Sequence, residues 1–289
     1  MKTNNGYTIN VHGRLMDLSQ PQVMGILNCT PDSFYAGSRV QTERAIAERA
    51  LEIVEQGGSI IDIGAFSTRP GADEIDEKEE CMRISNALAI VRRECPDAVI
   101  SIDTFRPNVA RMAVEEYGAD IINDVSEGGV GSIADQAIIA DGEAYPEIFK
   151  TVARLRVPYI LMSVRANLHD TLMTFSKKVQ QLRDLGQKDI ILDPGFGFGK
   201  TLEENYRLLD NLDKLNVFGL PLLVGVSRKR MIYQLLDTTA DEALNGTVVV
   251  NTVALMKGAS ILRVHDVREA VEAVKIVCQT RNLKLEPET

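Results

Sequence analysis

One pattern governs what this chain can become: eight short apolar runs, nearly all followed by a helical pattern, recur along most of its length. The runs are VMGILN from Val23, SIIDIG from Ser59, AVISID from Ala98, DIIND from Asp120, VPYILMS from Val157, DIILDP from Asp189, PLLVGVS from Pro221 and SILRVHD from Ser260. Each is apolar on both faces and rich in Ile and Val, as parallel strands covered on both sides must be. Amphipathic stretches alternate with them: Thr42 to Glu55, Lys78 to Glu94, Pro107 to Tyr117, Leu172 to Leu185, Glu203 to Leu215, Asp241 to Met256 and Val267 to Thr280. Repeated strand-helix alternation predicts an α/β fold, a single eight-stranded parallel α/β (TIM) barrel. A doubly wound open sheet is the competing architecture. The count of eight, and the absence of a glycine fingerprint after the first strand, favour closure.

The amino-terminal alternation of Tyr7, Ile9 and Val11 with Leu15, Asp17 and Leu18 predicts a small hairpin within residues 1–20. The barrel is then expected over 21–281, with a short tail over 282–289. No Pro/Gly/Ser-rich linker divides the 289 residues, and barrels of about 250 residues fold as one domain. The longest non-periodic stretch, Glu127 to Pro146, reads as a decorated loop.

A formal net charge of -9 argues against a general nucleic-acid or membrane-surface binder, because such proteins carry a broad positive field. Neither partner is expected. The start, MKTNNGYTINVHG, has no apolar signal-peptide core, and no run of about 18 apolar residues occurs, so a cytoplasmic protein is expected. The 4 cysteines (Cys29, Cys81, Cys95, Cys278) lack CxxC spacing, so free thiols are expected. With 3 histidines a multi-histidine metal cage is not expected.

Active sites of such barrels form at the carboxyl ends of the strands, and nearly every strand here ends in a polar residue. In order these are Asn28, Asp62, Asp103, Asn123 with Asp124, Ser163, Asp193, Ser227 with Lys229, and Arg263 with His265. Any one alone reads as a cap or turn residue. Their convergence on one rim does not. Asp103, Asn123 and Asp193 offer acceptors and amide donors matched to the edge of a heterocycle. Lys229, Arg263 and His265 supply cations on the last two strands, where barrels bind phosphate. Two loops, Cys29 to Arg39 and Ala65 to Glu74, combine Pro, Gly, Ser or Thr with Arg, the composition of a phosphate-handling lid.

Two motifs mislead. GFGFGKT, from Gly195, resembles a phosphate-binding P-loop, but its first required glycine falls on Pro194. A turn that lets backbone approach a flat ligand fits better. The cluster Arg228-Lys229-Arg230 looks like a nucleic-acid patch, yet its place directly after an apolar strand argues for a buried anion site.

The ordered motifs GILNCTPDSF, DIGAFSTRPGA, SIDTFRP, INDVS, LDPGFGFGK, LVGVSRK and LRVHDV, spread from about Met24 to Val274, resemble the dihydropteroate synthase family. That resemblance implies joining 4-aminobenzoate to (7,8-dihydropterin-6-yl)methyl diphosphate, with magnesium as cofactor and sulfonamides as inhibitors. It implies that Asp103, Asn123, Asp193 and Lys229 meet the pterin, walled by Val125, Met162 and Phe198. Lys229, Asp103, Asp193 and Asn28 would be the catalytic set. Asn28 would ligate magnesium at the diphosphate held by Arg263 and His265. Phe34, Thr68, Arg69 and Pro70 would close over the aminobenzoate, and a homodimer is implied.

The chain also departs from the family. Ser163 stands where a histidine usually follows the strand-five Met, the segment from Met162 to Asp193 is shorter, and the Glu127 to Pro146 loop is longer. Arg230 replaces a serine that usually meets the aminobenzoate carboxylate, so a bidentate pair is expected there instead. Two alternatives remain at this point: a methyltetrahydrofolate-binding methyltransferase barrel, which would not need STRPG, SRK or RVHD, and a catalytically silent pterin-binding protein.

Overall fold

The computed structural model describes residues 6–29, 39–65, 75–128 and 145–283. An antiparallel hairpin, β1 (Thr8–Val11) and β2 (Arg14–Asp17), precedes eight parallel strands. These are β3 (Gln22–Asn28), β4 (Ile60–Gly64), β5 (Val99–Asp103), β6 (Ile121–Asp124), β7 (Tyr159–Met162), β8 (Ile190–Asp193), β9 (Leu223–Val224) and β10 (Ile261–Val264). Bonded neighbours run β8-β7-β6-β5-β4-β3-β10-β9. A parallel bridge between Leu192 and Leu222, with Leu192 N–H donating to Pro221 O at 2.9 Å, brings the outermost strands together. A doubly wound sheet would leave them far apart, so the barrel reading holds.

The helices are α1 (Arg39–Glu55), α2 (Glu77–Glu94), α3 (Pro107–Tyr117), α4 (Glu147–Leu155), α5 (Leu168–Asp184), α6 (Leu202–Asp210), α7 (Arg230–Leu235), α8 (Leu244–Met256) and α9 (Val267–Leu283). A 3-10 turn, Leu212–Phe218, follows α6. Local chemistry sets several starts. Asp76 and Asn167 accept the N–H of Glu79 and Asp170, and Thr201 forms a reciprocal capping box with Glu204. Neither α4 nor α7 figures among the helical stretches expected from the sequence. α7 has only 6 residues, too few turns for a periodicity to stand out, whereas the 9 residues of α4 do carry a clear apolar face at helical spacing. α4 is held by burial of Ile148, Phe149 and Val152, a tertiary effect.

Strand alternation divides the core in two. Outward side chains such as Ile63, Ile102, Leu161, Leu192 and Leu262 pack under the helices against Ile84, Leu88 and Phe149. Inward side chains Met24, Ile60, Ile121, Ile160, Ile191, Leu223 and Ile261 instead meet Ile9, Val11 and Leu18 of the hairpin segment. The hairpin therefore plugs the barrel's amino-terminal end. It is held there also by Asn10 N–H, which donates to Asp189 Oδ2 at 3.0 Å, and by a close contact of His12 Nδ1 with the Asp120 carboxylate.

Candidate active site

Above this floor the inward positions become polar. Stepping by two along each strand leads from Ile60 to Asp62, from Val99 to Ser101 and Asp103, from Ile121 to Asn123, and from Ile191 to Asp193. The same step leads from Ile160 to Met162, from Ile261 to Arg263 and His265, and from Met24 through Ile26 to Asn28. Alternation also separates neighbours that the sequence leaves paired. Asn123 faces the barrel, whereas Asp124 turns outward, receiving the Tyr159 hydroxyl and the N–H of Ser126 and Gly128 at 2.7 and 2.9 Å. Ser163, next to inward Met162, likewise turns away from the barrel. Its Oγ accepts the Arg165 N–H at 3.2 Å and lies 3.4 Å from the buried Glu127 carboxylate.

Arg263 is the centre of the mouth. Its Nε donates to Asp62 Oδ2 at 2.6 Å and its Nη2 to Asp103 Oδ2 at 2.8 Å, leaving Nη1 not engaged by these carboxylates. Burial alone would depress the guanidinium; Asp62 and Asp103 outweigh it, so its pKa stands above the ordinary value. Asp103 is raised to about 7, first by desolvation and further by Asp62, against the pull of Arg263. Desolvation also raises Asp193, which Lys229 and the Gly195 N–H partly offset; that N–H reaches Asp193 Oδ1 at 2.7 Å.

Lys229 follows β9 at the N-cap position of the short helix α7, its side chain making no cap bond. Its ammonium donates to the Phe196 carbonyl and stands 4.6 Å from the centre of the Phe198 ring. Burial lowers it to about 8, opposed by Asp193. The turn bearing Phe196 and Phe198 is stapled by Lys200, whose Nζ donates to the carbonyls of Gly195 and Phe198 at 2.8 and 3.1 Å. Gly195 is at φ +70°, and a Cβ there would lie 2.0 Å from the Ser163 carbonyl oxygen, so no other residue fits. Lys200 thus organises backbone, where a P-loop lysine would reach a phosphate.

Asn28 ends β3 in an exposed position. A Cβ at Gly64 would lie 3.6 Å from Asn28 Oδ1 and 3.7 Å from Asp103 Oδ2, so these side chains flank one another across the bare glycine. His265 N–H donates to Ser227 Oγ at 3.1 Å, and its carbonyl accepts from Arg49 at 2.6 Å, which ties the end of β10 to its neighbours. Val125 and Met162 are buried beside the mouth. Phe34, Thr68, Arg69 and Pro70 lie outside the described residues.

The three cations after β9 separate. Arg228 turns outward in a left-handed conformation, φ 52°, and clasps Asp266 with Nε and Nη2, both at 2.9 Å, while Nη1 bonds the carbonyls of Ala240 and Asp241. Lys229 turns inward. Arg230 is exposed on the first turn of α7, its Nε 3.2 Å from Gln234 Oε1.

Some members of the site are given no role by the reading of the sequence. Asp62 is one, although it stands at a strand end and its inward parity was readable. Lys200 and the pair of buried Glu127 with Arg165, 3.0 Å apart, are others. Glu127 and Arg165 are distant in sequence and no local pattern pairs them, whereas Lys200 ends the GFGFGK motif but bonds the backbone of its own turn.

As for a metal, the described residues hold no group of three or more His, Cys, Asp or Glu able to cage an ion. Among the described residues, the Asn28 amide oxygen stands on an exposed strand tip beside the Asp103 carboxylate. It suits a hard cation that keeps water and substrate phosphate as its other ligands.

A family profile described as pterin binding enzyme matches residues 24–265. The dihydropteroate synthase of Escherichia coli K12 is 37% identical over 287 residues, covering 94% of this chain and 96% of that protein. The structure of Xanthomonas albilineans dihydropteroate synthase with 4-aminobenzoic acid is 32% identical, with a TM-score of 0.83 over 98% of this chain and 100% of that one. That of the Yersinia pestis dihydropteroate synthase with a sulfonamide drug is 36% identical, with a TM-score of 0.78 over 96% and 100%. Sequence, fold and the polar barrel mouth agree: the chain belongs to the dihydropteroate synthase family of pterin-binding enzymes.

Proposed function

We propose that the barrel mouth joins 4-aminobenzoate to (7,8-dihydropterin-6-yl)methyl diphosphate, forming 7,8-dihydropteroate and releasing diphosphate. The observation that carries this reading is a set of buried acceptors that meet no partner, Asp103 Oδ1 and Asn123 Oδ1, close to Asp62, Asp193 and Lys229. A pterin edge presents ring N–H and amino donors to such a set and a carbonyl to a lysine. Val125, Met162 and Phe198 would wall the flat ring.

In the reaction the methylene C–O bond breaks and diphosphate leaves with the electron pair. The positive charge left behind spreads into the electron-rich ring, where the carboxylates of Asp103 and Asp193 favour it. The aryl amine then donates its lone pair to the methylene carbon and loses a proton to solvent. Chemistry of this kind requires no protein nucleophile. Cys29, the thiol next to Asn28, is unfit for such a role because burial pushes it up to about 12.

The leaving anion needs positive charge. Nη1 of Arg263 and the imidazole of His265 would meet it, and Asn28 would hold magnesium beside it. When bound, that ion supplies further charge to the departing diphosphate. Phe34, Thr68, Arg69 and Pro70 would cover the aminobenzoate, with Arg230 at its carboxylate. The Xanthomonas and Yersinia structures, solved with 4-aminobenzoic acid and with a sulfonamide, support an aminobenzoate subsite that sulfonamides compete for.

A homodimer is part of the same reading. It is supported by exposed Val249, Val253 and Met256 on α8, with Leu235 and Leu236 at the end of α7. The test of the reaction is to mix the protein with the pterin diphosphate, 4-aminobenzoate and magnesium and follow diphosphate. Aminobenzoate-dependent release is expected. Its absence, with both substrates shown to bind, would leave a silent pterin-binding protein.

A further inference from the structure

The roles assigned above leave Asp62 without one, although it is fully buried and bonded to two members of the site. Its Oδ2 accepts from Arg263 Nε at 2.6 Å and from Asn123 Nδ2 at 3.2 Å. Arg263 in turn bonds Asp103 at 2.8 Å. We propose that Asp62 is a positioning residue that sets the polarity of the ring-binding edge. By holding the amide nitrogen of Asn123, it turns Asn123 Oδ1, an acceptor, toward the bound heterocycle. The inference rests on the pterin reading of the pocket and deepens it.

An asparagine amide is nearly symmetric in shape, so packing alone does not choose which end faces a ligand. Charge does. In the opposite orientation Asn123 would point an oxygen at the Asp62 carboxylate, two acceptors in contact inside a buried site where such repulsion is poorly screened. Arg263 donates its Nε–H to the same Oδ2, so that oxygen faces donors from two sides and serves both as an acceptor. The chosen orientation leaves Asn123 Oδ1 buried without a partner, as are Asp62 Oδ1 and Asp103 Oδ1. All three are acceptors, so the edge selects rings that present hydrogens and rejects rings that present lone pairs.

The device has a measurable signature, since a missing donor leaves a buried acceptor unpaired and costs about tenfold to a hundredfold in affinity. Binding of 6-hydroxymethyl-7,8-dihydropterin should be compared with that of its 2-deamino analogue and of its oxidised form, which lacks the N8 hydrogen. In Asp62→Asn the Asn123 amide is free to turn over and offer a donor. Discrimination against at least one of the two analogues should then shrink by about tenfold relative to wild type. The KM for the pterin diphosphate should rise more than kcat falls, with the KM for aminobenzoate unchanged.

Both ratios unchanged, with affinity for all three ligands reduced together, would overturn the proposal and leave Asp62 a support of the fold. Failure of the wild type to bind any of the three would instead overturn the pterin reading itself. Should Asp62→Asn not fold, the wild type carries the test. The Asn123 side-chain amide signal, assigned by its loss in Asn123→Ala, should be protected from hydrogen exchange without ligand and shift little when the dihydropterin is added. Exchange as fast as in exposed asparagines, or a large shift on binding, would overturn the proposal.

Discussion

The floor and the mouth of this barrel are made by the same strands and the turns that follow them, and they follow opposite rules. At the floor Met24, Ile60, Ile121, Ile160, Ile191, Leu223 and Ile261 fill space around the hairpin residues Ile9, Val11 and Leu18. Each such side chain contributes on the order of 1.5–3 kcal/mol by leaving water. At the mouth Asp62, Asp103, Asn123, Asp193, Lys229 and Arg263 hold charges and amides in a confined space. Several of their buried oxygens meet no partner. Groups arranged this way weaken the empty fold and are ready for a ligand. The contrast teaches that the apolar end stabilises the barrel while the polar end spends part of that stability on preorganisation.

The sharpest test of the contrast lies within the mouth. Lys229→Ala is expected to lower kcat/KM by a factor on the order of 10² to 10³, as loss of a preorganised, partly buried donor does, with little change in melting temperature. Arg228→Ala, which removes the clasp on Asp266, should instead lower the melting temperature and leave kcat/KM within a few-fold. Equal losses of activity would mean that the two cations do not divide between site and scaffold. At the floor, Leu18→Ala should cost about 2–5 kcal/mol in denaturant unfolding and leave the KM values unchanged. A large change in KM would show that the two ends are coupled.

Titration sharpens the comparison next, because the floor residues carry no charge. The kcat/KM for the pterin diphosphate should fall about tenfold per pH unit below about 7, as Asp103 gains a proton, and again above about 8, as Lys229 loses one. Stability should respond in the opposite sense. Desolvation raises Asp103, so the folded chain binds that proton more tightly than the unfolded one. Its contribution is therefore lost as pH rises from the ordinary carboxylate range through about 7. Desolvation lowers Lys229, so the folded chain binds that proton less tightly. Stability gains as pH rises from about 8 toward the ordinary lysine range. A flat melting temperature across these windows would contradict both assignments.

The smallest effect is expected at the rim. Arg230 is exposed and shares its guanidinium with Gln234. Arg230→Ser should raise the KM for 4-aminobenzoate by no more than about fivefold, the value of an exposed ion pair, and leave kcat alone. An unchanged KM would assign the side chain to Gln234 and solvent.

Much of this was legible in the sequence. Apolar runs alternating with helical patterns predict the strands, and alternation in the hairpin segment predicts β1 and β2, because burial on one or both faces imposes a pattern on the order of the residues. The polar residues at strand ends predict the mouth, since strand direction delivers every carboxyl end to the same rim. The short helix α7 was not legible, because 6 residues repeat too few turns, while α4 shows its apolar face in the sequence although it does not figure among the expected helices.

What the sequence by itself determined is the barrel, its family and the membership of the rim. What the tertiary structure alone decided is how the members are joined: Arg263 shared between Asp62 and Asp103, Asn123 turned by Asp62, Arg228 drawn outward to Asp266 while Lys229 turns in to the Phe196 carbonyl. The physical reason is one of range. Strand and helix periods are local and print themselves on neighbouring residues, whereas each of these contacts joins residues tens to hundreds of positions apart, whose meeting exists only once the barrel has closed.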